Sequence, residues 1–221
     1  MVNLASMESV VQNLVVQRTA RYYTLGDPNS QITDILIVLH GYGMQAGAFL
    51  ADFAPLLMPD MLIVAPEGLS RFYRKGFEGE VVSSWMTRED RQSEIADQRF
   101  FLNRLYDRLT ENNSCRIHVL GFSQGTATAT RWMVGNERTF SNLILWGGDF
   151  APDVEGHIKG VSKIHCVVGS SDPFIPLPLF EERCVMMENR GYQLERHVFA
   201  GGHNIPADIL TDVWIKSKGQ P

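Results

Sequence analysis

Gly121-Phe122-Ser123-Gln124-Gly125 lies between two runs of different character. Upstream, Arg116-Ile117-His118-Val119-Leu120 is a short apolar run with β-branched residues, the composition of a buried strand. Downstream, Thr126-Ala127-Thr128-Ala129-Thr130-Arg131-Trp132-Met133 begins with small residues and continues in a helical pattern. Strand, sharp turn and helix around G-x-S-x-G predict a nucleophile elbow, a turn that holds its serine in a strained conformation with the hydroxyl exposed. The flanking glycines are expected because a Cβ at either position would clash with the adjoining strand and helix.

Working outward, apolar runs recur at Ile35–Leu39, Leu62–Ala65, Leu143–Trp146 and 164–168. Strands apolar on both faces belong to a parallel sheet covered by helices on each side. Val15–Tyr23 and Leu194–Phe199 alternate more and predict edge strands. Helices are expected over Gln45–Leu57, Glu89–Thr110, Gln124–Gly135, Leu177–Asn189 and Ile205–Lys216. In the long one, Ile95, Phe100, Phe101, Leu105 and Leu109 carry the apolar face. This alternation predicts a doubly wound, mostly parallel α/β sheet. Ser70–Ser84 reads as an irregular insertion. No linker or repeat divides the chain, so residues 1–221 are expected to form one domain without a large cap.

The 221 residues can bury a sizeable core. A net charge of −5 argues against nucleic acid or an anionic membrane as the main partner. No apolar run approaches the roughly 20 residues of a membrane span, so no stable membrane anchoring is expected. Cys115, Cys166 and Cys184 are scattered and odd in number, which suits neither a disulfide framework nor a zinc site. With no leader pattern in Met1–Gln17, this predicts a reducing, cytoplasmic location. No nucleotide or metalloprotease motif is present, so no cofactor and no metal are expected. A homodimer is left open.

In open α/β sheets, sites form beyond the carboxyl ends of the strands. Three groups fall there besides the elbow. His40-Gly41-Tyr42-Gly43 follows Ile35–Leu39, and its glycines let a backbone N–H turn toward a bound carbonyl. The N–H groups of Tyr42 and Gln124 are the candidate oxyanion hole. Asp172, in Ser170-Ser171-Asp172-Pro173-Phe174-Ile175-Pro176, is the carboxylate expected to orient a histidine, although Asp-Pro also suits a plain turn. Asp149 and Asp153 compete with it. His203, in Gly201-Gly202-His203-Asn204, is the general-base candidate. His118, His165 and His197 lie within strands, His157 lies in a polar loop, and His40 precedes the nucleophile. The chain order Ser123, Asp172, His203 is that of an α/β-hydrolase triad.

Gly-Phe-Ser-Gln-Gly, the His-Gly-Tyr-Gly loop, Ser84-Trp85 before a long helix, Asp172-Pro173-Phe174-Ile175-Pro176 and Gly202-His203 together resemble the phospholipase/carboxylesterase family, near the dienelactone hydrolases. The resemblance covers roughly Ile35 to Ile215. It implies the α/β-hydrolase fold, metal-free hydrolysis of an ester or thioester, and an oxyanion hole at Tyr42 and Gln124. Many members carry Leu and Asp where this chain has Tyr42 and Met44, and Gly-Gly where it has Gly125-Thr126. Dienelactone hydrolases usually carry Cys at the position of Ser123.

The expected function is hydrolysis of small to medium acyl substrates through an acyl-enzyme. Two alternatives are a dienelactone-type hydrolase of a cyclic ester and a hydrolase-fold ligand-binding protein with incidental turnover. Phe72, Tyr73, Trp85, Phe150, Phe174 and Ile175 are candidate walls of an acyl pocket. Arg71, Arg74 and Lys75 are either a solvated loop face or a site for an anionic part of the substrate.

Overall fold

The computed structural model describes residues 10–28, 31–111, 114–154, 156–161 and 163–219; the leader reading falls partly outside them, on residues 1–9. Strands β1 (Tyr22–Leu25), β2 (Asp34–Leu39), β3 (Met61–Pro66), β6 (Arg116–Phe122), β7 (Asn142–Trp146), β8 (Ile164–Gly169) and β9 (Leu194–Phe199) form one sheet. A separate hairpin joins β4 (Ser70–Lys75) and β5 (Glu78–Ser84). The helices are α1 (Ala46–Ala51), α2 (Arg91–Thr110), α3 (Gln124–Met133), α4 (Leu177–Asn189) and α5 (Ala207–Ser217).

The sheet order is β1-β3-β2-β6-β7-β8-β9, parallel except for β1 against β3. From β2 the chain steps outward to β3, then crosses back to β6 and proceeds to β9. The direction therefore reverses between β2 and β6. Such a switch point opens a crevice at the strand ends, here where β2 ends at Leu39 and β6 at Phe122.

Alternation along each strand divides the core in two. Ile35, Ile37 and Leu39 pack with Leu102 and Leu105 of α2, Ala129 and Trp132 of α3 and Phe180 of α4. Leu36 and Val38 face the other way, toward Phe49 of α1 and Leu210 and Trp214 of α5. Both faces of the sheet are thus covered, as the continuous apolar runs require.

Four sequence expectations shift. The first edge strand begins at Tyr22, whereas Val15 and Val16 are exposed, because β3 pairs only with Tyr22–Leu25. The helix expected over Gln45–Leu57 stops at Ala51, followed by a short 3-10 turn at Ala54–Leu56 with Pro55 in it. On α2, Leu102 is fully buried and Phe100 is exposed. The supposed irregular insertion Ser70–Ser84 is the β4–β5 hairpin, closed by Gly76-Phe77 between the paired Lys75 and Glu78. Gly76 has φ +60°, which a two-residue hairpin turn needs at its first central position.

Charged groups gather at the strand starts, the end of the sheet opposite the crevice. The buried Asp34 carboxylate accepts a bidentate pair from Arg116 at 2.8 and 2.7 Å and a bond from Lys218 at 3.1 Å. His118 Nε2 donates to it at 2.7 Å, while His118 Nδ1 accepts from Asn142 at 3.1 Å. Burial holds the His118 imidazole below its ordinary range, so it serves as a neutral donor. Burial alone would raise the Asp34 carboxyl, but the bonds from Arg116, His118 and Lys218 outweigh it and hold the group well below the usual carboxylate range. A depressed carboxyl stabilises the fold above its unfolded value of about 3.9, and the contribution is lost as pH falls below that. Asp34→Asn should therefore cost roughly 1–3 kcal/mol in urea unfolding at neutral pH. The gap to the parent protein should close in acid.

Candidate active site

Ser123 stands between β6 and α3 with φ 53° and ψ −116°, a conformation L residues rarely adopt. Such strain costs of order 1–3 kcal/mol and persists only where the surroundings over-determine it. Here the Ser123 N–H donates to Trp146 O at 2.9 Å, and the Ser123 carbonyl accepts from the N–H and the hydroxyl of Thr126 at 3.1 and 2.7 Å. Both neighbouring glycines are obligatory. A Cβ on Gly125 would lie 2.0 Å from Leu39 O, and one on Gly121 2.5 Å from Gly125 O. Thr126 fits because residue 148 is glycine: a Cβ there would stand 2.3 Å from Thr126 Oγ1. Ser123 itself is half-buried.

Asp172 follows β8 and His203 follows β9. The two loops are laced together by Ser170 N–H to Phe199 O and Ser171 N–H to Gly201 O, each 2.8 Å. His203 Nδ1 donates to Asp172 Oδ2 at 2.7 Å. The other oxygen, Oδ1, accepts the N–H groups of Phe174 and Ile175 at 2.8 and 3.0 Å. The turn-forming and histidine-orienting readings of Asp172 thus both hold, one on each oxygen. With Nδ1 committed as donor, the lone pair of the neutral ring is on Nε2. The His203 ring lies 4.8 Å from that of Phe122, the residue before Ser123, and 4.7 Å from that of Phe174. Neither competing carboxylate reaches it. Asp149 pairs with Arg183 at 3.1 Å, and Asp153 with Arg131 and Arg91, each at 2.8 Å.

The loop after β2 is braced from several sides. His40 is fully buried. Its Nδ1 donates to Gly41 O at 2.7 Å, and its Nε2 accepts from Gly68 N–H and the Ser83 hydroxyl, each at 3.0 Å. Burial lowers its pKa, consistent with a neutral ring held by these bonds. The Trp85 indole N–H donates to His40 O at 2.8 Å, and Gly43 N–H donates to Ser83 O at 2.9 Å. Arg74 reaches across from β4 to Gly43 O at 2.8 Å. The Gln124 side chain bonds Trp85 N–H and Met86 O at 3.1 and 2.9 Å, tying the same segment to the start of α3. The N–H groups of Tyr42 and Gln124 have no partner among the described residues.

The aromatic candidates divide. Tyr42 and Phe174 are exposed beside the crevice, with Phe72 half-buried and its ring 5.6 Å from that of Tyr42. Tyr73 is exposed on the hairpin, and Ile175 packs partly into the core. Trp85 and Phe150 are buried core residues, so the expectation that they wall an open pocket is corrected. Their sequence neighbourhood reads as loop, but the Trp85 ring lies 5.0 Å from that of His40 and the Phe150 ring 5.1 Å from that of Tyr192. The basic trio is split as well: Arg74 holds Gly43 O and pairs with Glu80 at 3.6 Å, while Arg71 and Lys75 face solvent. The supporting roles of His40, Ser83 and Arg74 were missed. The first hint available was His40 immediately before two closely spaced glycines.

Gly125→Ala should leave little soluble folded protein, because Leu39 O belongs to the central strand and cannot yield. Arg74→Met should fold normally, since its side chain is more than half exposed. Releasing Gly43 O should loosen the loop, seen as faster amide exchange at Tyr42 and Gly43 than in Arg74→Lys.

The profile of the phospholipase/carboxylesterase family matches residues 22–215. No curated protein matches in sequence. Among solved structures, esterase PE8 aligns with a TM-score of 0.73 at 20% identity, over 91% of this chain and 99% of that one. A carboxylesterase from Mesorhizobium loti aligns with a TM-score of 0.70 at 19% identity, over 94% and 99%. Acyl-protein thioesterase 2 of Zea mays aligns with a TM-score of 0.64 at 17% identity, over 90% and 99%. With the family profile spanning nearly the whole chain and the same fold in these structures, the chain belongs to the phospholipase/carboxylesterase family of α/β-hydrolases.

Proposed function

We propose that the chain is a single-domain serine hydrolase that cleaves small to medium acyl esters or thioesters through an acyl-enzyme. The observation that carries this is the hydrogen bond of 2.7 Å between His203 and a buried Asp172, beside a serine strained at φ 53°. Ser123 Oγ attacks the acyl carbon while His203 Nε2 takes its proton. Asp172 keeps the proton on Nδ1 and stabilises the imidazolium. The N–H groups of Tyr42 and Gln124 receive the negative charge that develops on the carbonyl oxygen, the latter at the positive end of α3. His203 then returns the proton to the leaving alcohol or thiol, and activates a water for the second half. Each step moves a proton between named groups and needs no cofactor.

Support for the substrate class comes from the mouth of the crevice. Exposed Tyr42 and Phe174 with the half-buried Phe72 suit an apolar acyl or aryl group. The names of the similar structures, esterase, carboxylesterase and acyl-protein thioesterase, support ester and thioester chemistry. No helix of the described residues is long and apolar enough to cross a membrane, and free cysteines at 115, 166 and 184 accord with the proposed cytoplasmic setting.

A fluorophosphonate probe should label Ser123, located by peptide mapping. Ser123→Ala should lower p-nitrophenyl acetate turnover by at least about 10⁴-fold. Asp172→Asn should lower kcat on the order of 10³–10⁴-fold with the fold intact, since it disturbs the tautomer of His203. Full activity in Ser123→Ala would sink the proposal.

A further inference from the structure

His165 and His197 take no part in the site above. They lie on the adjacent strands β8 and β9, where the register sets His165 opposite Glu195 and Val167 opposite His197. Side chains alternate, so His165, Glu195 and His197 share the sheet face of Val167 and Phe199, the face covered by α5. Strand pairing alone brings them together. His165 Nδ1 and His197 Nε2 are 3.0 Å apart, Glu195 Oε1 lies 3.8 Å from His197 Nε2, and one donor atom from each residue falls within 4.8 Å of the others.

We propose that His165, His197 and Glu195 form a binding site for a zinc-type divalent cation, with a remaining position open to water. Two imidazole nitrogens and one carboxylate are a zinc donor set, and zinc–nitrogen bonds of about 2.0–2.1 Å set two tetrahedral nitrogens roughly 3.3 Å apart. The observed separation is close to that. Burial disfavours the charged form of both rings, which leaves lone pairs for a metal. The two nitrogens, 3.0 Å apart, share one proton in an N–H···N hydrogen bond, with the ring centroids 5.2 Å apart and the planes 23° apart. Binding moves that proton to the other nitrogen of its ring, turns both rings toward the ion, and releases the Glu195 carboxylate from Lys163, now 3.1 Å away. Lys163 and Lys216 oppose the cation and Asp212 on α5 favours it.

The site is remote from the chemistry. His165 precedes Gly169, the last residue of β8, by four positions, about 13 Å along the strand. A cation there clamps the edge strand β9 to β8, so its effect falls on stability. His165 lies about thirty residues before Glu195 and His197 and joins them only by strand register, so no contiguous motif reveals the group.

The test uses tag-free, chelator-treated protein titrated calorimetrically with Zn²⁺ and, separately, followed by visible absorption with Co²⁺. One equivalent should bind per chain, cobalt should give tetrahedral d–d bands, and Zn²⁺ should raise Tm reversibly to EDTA. His197→Ala should weaken binding at least tenfold, in the range removal of site groups costs, and Glu195→Gln should weaken it as well. The partly exposed Glu195 keeps the test usable if His197→Ala fails to fold. His203→Ala should bind Zn²⁺ unchanged, which separates this site from Ser123. No stoichiometric binding, or equal binding in both site variants, would overturn the proposal and leave a hydrogen-bonded histidine pair.

Discussion

The carbonyl oxygen of Leu39 sits where a side chain on residue 125 would have to go, 2.0 Å from the position of its Cβ. This contact presses the first turn of α3 against the backbone of the central strand β2. Once α3 is that close, the chain leaving β6 has one residue in which to reverse, and Ser123 takes a strained positive-φ conformation to do it. The same approach brings the end of β2, with its His40–Gly43 loop, beside the serine. Position and strain at Ser123 therefore share one cause. The bonds from Trp146 and Thr126 and the missing Cβ at Gly148 hold the strain in place.

Around that contact the protein uses buried polar bonds where apolar packing would be too adaptable. His40, Ser83, Trp85 and Gln124 form a network in which each side-chain donor has an acceptor, and a satisfied buried network specifies one arrangement. The β4–β5 hairpin is the outer member of this set. Its strand β5 supplies Ser83 and Ser84, and Arg74 of β4 holds Gly43 O. A segment that resembles a surface insertion thus carries the loop that faces the serine. The opposite end of the sheet is fastened by charge, through Asp34 and its partners, and its electrostatic work is kept apart from the crevice.

Much of the fold was legible because the interior strands are apolar on both faces. Ile35–Leu39, Ile117–Leu120 and 164–168 admit few other readings, and G-x-S-x-G between a strand and small residues marks the turn. The β4–β5 hairpin was not legible because its strands are largely exposed and mix charge with aromatics, leaving no burial pattern to read. Phe100, Trp85 and Phe150 were misplaced for a related reason. An aromatic residue in a loop or on a wide helix face can turn either way, and the packing of neighbouring helices decides.

The glycines around Ser123 were legible in the sequence alone, since G-x-S-x-G between an apolar run and small residues fits a strand-turn-helix geometry, and so was the chain order Ser123, Asp172, His203. What only the tertiary structure decided is which side chains share a place. Asp172 rather than Asp149 or Asp153 meets His203, because the loops after β8 and β9 are laced together and arginines hold the other two carboxylates elsewhere. His165, Glu195 and His197 converge only through the register of two strands. Local residue types encode local backbone; proximity across tens of residues is encoded in how the whole sheet assembles, and no short stretch contains it.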